Sequence, residues 1–269
     1  MQSLRAAELR AGWGIVWAAG GLFLLLLGLP IVALLWRTIT TGGLGSALLQ
    51  PLVVNATILT MATCAVTLLV SFALGTPLAF VLARRNFPGK SIVESLTTLP
   101  LVLPPLVAGV SLLMAFGRRG LLGQQLDAWG ISLPFTSAAV VMAQIFVAGP
   151  FYLRSAKLAF ASIPAAVEEA AAISGATGWL AFRYVTFPLA RRGIVAGLVL
   201  CAARAASEFG ATLMFAGNIG GKTQTMALAI EAAIETDLGA ALALSTFLVL
   251  AAASALFLLQ YLGRGHEVI

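Results

Sequence analysis

The stretch AGWGIVWAAGGLFLLLLGLPIVALLW, from Ala11 to Trp36, contains no charged side chain. A helix that crosses the hydrocarbon core of a membrane needs about 20 mainly apolar residues. The stretch follows Arg5 and Arg10, as the apolar segment of a signal peptide would. It is longer than such a segment, and no clean A-x-A cleavage site follows it. We therefore interpret it as a retained first membrane span.

The rest of the chain has the same composition. Of its 269 residues, 60% are apolar and 10% are charged, with a mean hydropathy of +1.01, whereas a soluble domain has about 25% charged residues. This composition excludes a soluble fold and a disordered chain, and two cysteines, Cys64 and Cys201, exclude a disulfide scaffold. Long continuous apolar runs exclude an outer-membrane barrel. The sequence predicts an all-α integral membrane protein.

Six transmembrane helices are expected within one transmembrane domain, 1–269. A long loop at 160–188 separates the fourth span from the fifth. Pro100, Pro104 and Pro105 break the third span, and such breaks are tolerated where backbone lines a cavity or is buried in protein. The expected spans are 12–36, 52–83, 95–117, 135–157, 193–219 and 238–262.

The basic residues indicate the orientation of the spans. Eleven Lys and Arg residues lie at the termini and in the second and fourth loops, and four lie in the alternate loops. Because cytoplasmic loops carry the excess of Lys and Arg, both termini and the long fourth loop are expected in the cytoplasm of a multi-pass protein. The net charge of +6 therefore reports topology in the lipid bilayer, and no nucleic-acid partner is expected.

The sequence contains few of the motifs on which catalytic sites depend. It has no G-x-x-x-x-G-K-[ST] phosphate loop, and its one histidine is His266. No Ser-His-Asp set and no His/Cys/carboxylate metal cluster can be assembled. We expect no catalytic residue, no metal and no cofactor in this chain. Six spans with a large cytoplasmic loop suggest transport, with the energy source on another subunit.

The fourth loop, IPAAVEEAAAISGATGWLAFRYVTFPLARR from Ile163 to Arg192, predicts a compact helix–turn–helix. Pro164 suits a first helical turn, the residues 165–174 form helix strongly, and Gly175 suits a left-handed cap. A second short helix is expected at about 178–183, before the fifth span opens.

Small and acidic residues mark the first of these helices. Glu168 and Glu169 lie in its N-terminal half, where the helix dipole tolerates negative charge. Ala170, Ala171 and Gly175 would let the surface of another protein approach closely.

The spacing of this loop resembles a known motif. Glu169-Ala170-Ala171, then Gly175, then Val185-Thr186-Phe187-Pro188 follow the pattern E-A-A-x3-G-x9-I-x-L-P, with two conservative replacements. It resembles the EAA loop of permease subunits of binding-protein-dependent ABC importers. The resemblance implies a coupling helix that docks into an ATPase subunit through Glu168, Glu169, Ala170, Ala171, Gly175 and Pro188.

Three further stretches resemble the molybdate transport permease family. They are LPLVLPPLVAGVSLL at 99–113, GRRGLLG at 117–123 and SEFGATLMFAGN at 207–218, where Ser207 replaces a usual glycine. Sulfate permeases share the E-F-G and G-N elements, and the GRRGLLG loop favours molybdate. Tungstate has the same size and charge, so sulfate and tungstate remain alternatives.

The resemblance implies the rest of the assembly. Two copies of the chain would form a homodimer around one pathway in the inner membrane. Two ATP-binding cassette subunits would hold ATP and Mg below it, and a periplasmic or extracellular oxyanion-binding protein would dock above it.

Arg204 and Glu208 are the clearest ionisable residues within a span. Arg204 lies about 18 Å along the helix from Arg192, near the middle of the membrane. Glu208 follows one turn later, so the two side chains can pair. Together with Ser207, Thr212 and Asn218 they are candidates for the translocation path or gate. The alternative is that the pair only holds the bundle together and the hydroxyls bond to helix carbonyls.

Two other classes of protein remain open. A secondary transporter or channel without an ATPase would be favoured if the EAA pattern were a coincidence. A membrane-embedded enzyme would need a buried nucleophile or metal set, and the sequence offers none.

Overall fold

The computed structural model describes residues 2–41 and 44–263, with side chains at 16–41 and 45–262. Every regular element in these ranges is a helix, which confirms the all-α prediction. The helices are α1 Gln2–Thr41, α2 Leu44–Leu48, α3 Pro51–Arg84, α4 Lys90–Val102, α5 Pro105–Phe116, α6 Gly123–Ala128, α7 Ser137–Ala161, α8 Ala165–Ile173, α9 Trp179–Ala181, a π-helical segment Phe182–Thr186, α10 Phe187–Ala206, α11 Gly210–Ala216, α12 Met226–Ala233 and α13 Leu238–Gly263.

Five helical stretches in the described ranges are long and apolar enough to cross a membrane, and α4 with α5 makes a sixth as one bent span. The five are Val16–Thr41, Pro51–Arg84, Ser137–Ala161, Trp179–Ala206 and Leu238–Leu262. The count agrees with the six spans expected from the apolar runs. In the first of these stretches only Thr38 is buried by the rest of the chain, so α1 lies at the edge of the bundle.

The third span is broken at Leu103 and Pro104, where the helix direction bends by 119° between α4 and α5. Proline has no amide hydrogen to donate and disfavours helical backbone in the residue before it. The consecutive prolines 104 and 105 therefore end one helix and start the next. The break falls at Pro104 and Pro105 as expected, whereas Pro100 lies inside α4 and does not end it.

The centre of the bundle is formed by α3, α7 and α10. Small residues bring α10 against α7, because a Cβ added to Gly193 would lie 2.4 Å from the Cβ of Ala159. A Cβ on Gly197 would lie 2.8 Å from that of Ser155. The G-x-x-x-G pattern at 193–197 thus serves a close helix contact.

One end of this bundle carries many basic residues and is called the basic end below. It comprises the end of α3 with Arg84 and Arg85, the start of α4 with Lys90, the end of α7, and the start of α10 with Arg191. Helices α8 and α9 lie in the connection at this end.

The fifth span differs from the sequence expectation of one helix over 193–219. It starts earlier, at the basic end, where α9 and the π-helical segment lead into α10, and α10 ends at Ala206. After a turn at 207–209, α11 packs on α5, and a Cβ on Gly210 would lie 2.8 Å from the Cβ of Pro105. This tertiary contact, absent from any local pattern, ends the long helix early.

A short helix, α12, precedes α13 and was not expected from the sequence. The amide of Met226 at its start donates to Thr60 Oγ1 of α3 over 2.8 Å. After α12, Asp237 Oδ1 accepts from the amide of Ala240 over 3.0 Å and so supports the start of α13. The same hydrogen bond holds the pKa of Asp237 below its usual value. These bonds hold the connection against the bundle.

Candidate functional site

The two glutamates of α8 have different surroundings. Glu168 Oε1 lies 2.9 Å from Arg84 Nη2 at the end of α3 and accepts from Thr186 Oγ1 over 2.9 Å. Thr186 is buried and belongs to the π-helical segment. Glu169 is exposed, with no ion pair among the described side chains. Glu168 therefore ties α8 to α3 and α10, and Glu169 faces outward. We call the contact of Arg84, Glu168 and Thr186 the α8 joint.

The other loop residues predicted to couple lie around the exposed side of α8. Ala170 is exposed and Ala171 is half-buried, and Pro188 is exposed in the first turn of α10. Gly175 ends the helix with φ +86°, and no atom lies within 4 Å of an added Cβ. Its role in the chain is thus the left-handed backbone rather than close packing.

Large apolar side chains surround this helix without cover from the described residues. Ile173 at the end of α8 is 89% exposed. Trp179, Leu180, Tyr184 and Leu189 are also exposed on the following segments. Exposed apolar side chains of this kind suit contact with another protein or, because four of them belong to the candidate span Trp179–Ala206, with lipid. We call it, with Glu169 and Ala170, the α8 face.

Arg204 and Glu208 form the ion pair that their spacing predicts, with Nη2 and Oε2 2.7 Å apart. The Glu208 side chain is 0% exposed, and its Oε1 accepts from the amide of Ala211 over 2.8 Å. The Arg204 side chain is 27% exposed. The carboxylate thus joins the end of α10 to the start of α11, while the Arg204 side chain stays partly exposed.

The remaining three path candidates do not all join this pair. Ser207 is exposed, and its hydroxyl donates to the Arg204 carbonyl over 3.2 Å. Thr212 is buried in α11, and its hydroxyl has no hydrogen-bond partner among the described residues. Asn218 lies apart, because its amide nitrogen donates to the Leu228 carbonyl of α12 over 3.2 Å.

A buried polar network beside the Arg204–Glu208 pair was not predicted. Gln144 of α7 donates through Nε2 to Thr63 Oγ1 over 3.2 Å and to the Ala205 carbonyl over 3.3 Å. Its Oε1 accepts from Thr67 over 2.9 Å. Gln144 thereby links α3, α7 and the last turn of α10. A lone glutamine in an apolar span, facing threonines at three- and four-residue spacing, was the available signal.

Metal-binding chemistry has no candidate ligand set in the described ranges. No group of three His, Cys, Asp or Glu side chains lies close enough there to hold an ion.

The fold is that of a membrane-spanning chain of ABC transporters. A bacterial ABC transporter involved in the import of the acidic polysaccharide alginate superposes with a TM-score of 0.67 at 16% identity, covering 94% of this chain and 93% of that chain. The MetNI methionine ABC transporter gives a TM-score of 0.59 at 18% identity, over 80% of this chain and 95% of that chain.

Sequence comparison defines the family more closely. Residues 75–267 match the family model described as the binding-protein-dependent transport system inner membrane component, and the chain belongs to this family. It is 44% identical to the molybdenum transport system permease protein ModB of Mycobacterium tuberculosis, over 81% of this chain and 79% of that protein. It is 39% identical to ModB of Escherichia coli, over 69% and 81%. The sulfate transport system permease protein CysW of Synechococcus elongatus is 41% identical over 59% and 56%.

Proposed function

We propose that this chain is the permease subunit of an ATP-driven importer that carries molybdate across the inner membrane. The observation that carries the proposal is the similarity to ModB proteins over about four fifths of both chains. The match to the sulfate permease covers a shorter part of each chain, which makes sulfate the second candidate. Tungstate remains an alternative cargo with the same chemistry.

In this proposal the chain supplies the path and the mechanical link, and no residue that breaks a bond. Two copies form a homodimer, two ATP-binding cassette subunits with ATP and Mg dock on the α8 faces, and an oxyanion-binding protein docks at the opposite end. ATP closes the ATPase pair and draws the two α8 helices together, which opens the path outward. Hydrolysis then resets the assembly.

The Arg204–Glu208 pair, at the end of α10 that is opposite the basic end, supports a path beside it. A dianion beside a buried carboxylate is unfavourable unless a cation stands between them. Arg204 is paired on one side and partly exposed on the other, so it can shield the anion from Glu208. The unpartnered hydroxyl of Thr212 is a further donor one helical segment away.

Uptake of radiolabelled molybdate by cells or vesicles that contain the full complex tests the function. Unlabelled molybdate, tungstate and sulfate are added as competitors. We expect competition by molybdate and tungstate at lower concentrations than by sulfate. Uptake that persists when the partner ATPase is inactivated would instead indicate a secondary transporter.

The orientation predicts which segments are accessible from outside. With both termini and the basic end in the cytoplasm, single cysteines placed at 118–127 or 220–237 are expected to react with an impermeant reagent in sealed right-side-out vesicles. Cysteines placed at 85–90 or 162–177 are expected to react only after permeabilisation. External labelling of the second set would reverse the proposed orientation.

Gly175 is expected to be required for coupling through its backbone alone. Gly175→Val forces a β-branched residue into the left-handed region, at a cost of about 1 kcal/mol or more. Gly175→Asn is the matched control, because asparagine tolerates that region. We expect ATP hydrolysis stimulated by the binding protein to fall in the valine variant and to be largely kept in the asparagine variant. Equal stimulation in both, at equal protein level, would contradict the assignment.

A further inference from the structure

A cavity of about 400 Å³ lies between α4 and α7 near the basic end, closed on one side by Leu82 of α3. Its charged lining consists of Glu94 from α4 and Arg154 and Lys157 from α7. The rest is leucine and proline, with the hydroxyls of Thr97 and Thr98. Both hydroxyls donate to the Glu94 carbonyl, so the free donors in the cavity belong to the two basic side chains.

These charges do not cancel. Lys157 Nζ lies 2.7 Å from Glu94 Oε1, so these two neutralise each other. Arg154, one turn earlier on α7, has no carboxylate within ion-pair distance among the described side chains. The cavity therefore keeps a net charge of one positive unit. Its open donors are the five N–H groups of Arg154 and the remaining protons of Lys157.

Arg154 lies within helix α7, where a charge without a counter-ion or water is unfavourable. It lies seven residues before the end of α7 at Ala161, or about 10 Å along the helix. An unpaired charge within a span faces water or a partner, because apolar surroundings cost several kcal/mol. Arg154 is exposed in the chain, so its guanidinium is open to an anion or to water at this depth.

The neighbouring face of α4 is polar and uncovered. A second cavity on that helix is lined by Ser91, Ser95, Leu99 and Val102, and it shares Glu94 and Thr98 with the first. No residue of α4 is buried by the rest of the chain. The shared polar edge at Glu94 and Thr98 is therefore open to water and small anions.

We propose that Arg154 and Lys157 form a binding site for a tetrahedral oxyanion between α4 and α7, separate from the Arg204–Glu208 pair. A guanidinium offers two parallel N–H groups to such an anion, and the ammonium adds a point charge. The same chemistry fits a free oxyanion or the phosphate of an anionic lipid. The free-oxyanion case rests on the proposed function, because that anion is the cargo.

The first measurement is equilibrium binding of radiolabelled molybdate to the complete permease–ATPase complex, without the binding protein, in nanodiscs of phosphatidylcholine alone. Arg154→Gln is expected to weaken molybdate binding at least tenfold. Arg191→Gln removes the same charge at the basic end outside the cavity, and it is expected to change the affinity less than twofold. Glu94→Gln frees Lys157 and is expected to tighten binding, a gain that misfolding cannot produce.

The second measurement uses nanodiscs with one quarter phosphatidylglycerol and identifies retained lipid by native mass spectrometry. Retention of phosphatidylglycerol that is lost in Arg154→Gln and kept in Arg191→Gln assigns the site to lipid phosphate. Loss of molybdate binding in Arg154→Gln assigns the site to the free oxyanion. If neither ligand depends on Arg154, the proposed site is wrong. Molybdate uptake by the wild-type complex reports separately on the proposed function, so either proposal can fail alone.

Discussion

Arg204→Met is expected to lower the amount of assembled protein in the membrane much more than Glu208→Gln does. Removing the arginine leaves a fully buried carboxylate without its cation, which costs about 3–5 kcal/mol. Removing the glutamate charge leaves an arginine that is 27% exposed and can turn toward water. The glutamine at position 208 still accepts the hydrogen bond from the Ala211 amide, so the loss of stability is about 1–2 kcal/mol. Membrane level by immunoblot and thermal stability of the purified complex measure the difference.

Two double variants separate the ion pair from the bond to Ala211. Arg204→Met with Glu208→Gln removes both charges and keeps an acceptor for the Ala211 amide, so the protein level is expected to recover. Arg204→Met with Glu208→Leu also leaves that buried amide unpaired, which costs about 1–3 kcal/mol more. Failure of the first double variant to recover would show that the two side chains are not each other's main partners.

Uptake by the recovered double variant decides the role of the pair. If the pair lines the path, molybdate uptake is expected to fall although the protein assembles. Normal uptake at normal level would reduce the pair to a structural role, and the path would then lie on other spans.

Reversing either charge of the α8 joint is expected to disconnect ATP hydrolysis from transport. Arg84→Glu or Glu168→Arg opposes like charges at a contact where the two side chains are 16% and 29% exposed. If the contact between α8 and α3 loses about 1.4 kcal/mol of free energy, the ratio of molecules with this contact to molecules without it falls tenfold. We expect binding-protein-stimulated uptake to fall roughly tenfold while the ATPase still co-purifies through the α8 face.

The double reversal is the critical test of this contact. Arg84→Glu with Glu168→Arg restores an opposite-charge pair and is expected to recover part of the uptake, a coupling between two sites that act together. Arg85→Glu is the matched control, because Arg85 is exposed and makes no ion pair among the described side chains. A double variant no better than its singles would exclude the α8 joint as the link.

Local patterns in the sequence predicted the parts of the fold that local physics decides. Apolar runs indicated six spans, adjacent prolines indicated the break after Val102, and Gly175 indicated the left-handed end of α8. The Arg204–Glu208 pair was predicted from a four-residue spacing, and it forms although α10 ends at Ala206, before Glu208. Each of these depends on residues that are close in the chain.

Contacts between distant segments could not be predicted in this way. The end of α10 depends on Gly210 meeting Pro105, and the anchoring of Glu168 depends on Arg84, which is far earlier in the chain. Asn218 lies apart from the Arg204–Glu208 pair because Gly217, with φ +71°, turns the chain before α12. Gln144 was missed because its partners lie on α3 and α10.

The π-helical segment before α10 fixes the rotational phase between the loop and the membrane helix. Its hydrogen bonds close one residue later than those of an α-helix, so it contains an extra residue. Deleting one residue from 182–186 would leave a regular α-helix, whose faces turn by about 100° per residue. The wider π-turn rotates less per residue, so its extra residue is added with almost no change in the total rotation. The segment therefore lets the chain hold one more residue between α9 and α10 while α10 keeps its orientation relative to α8, so that Thr186 still faces Glu168.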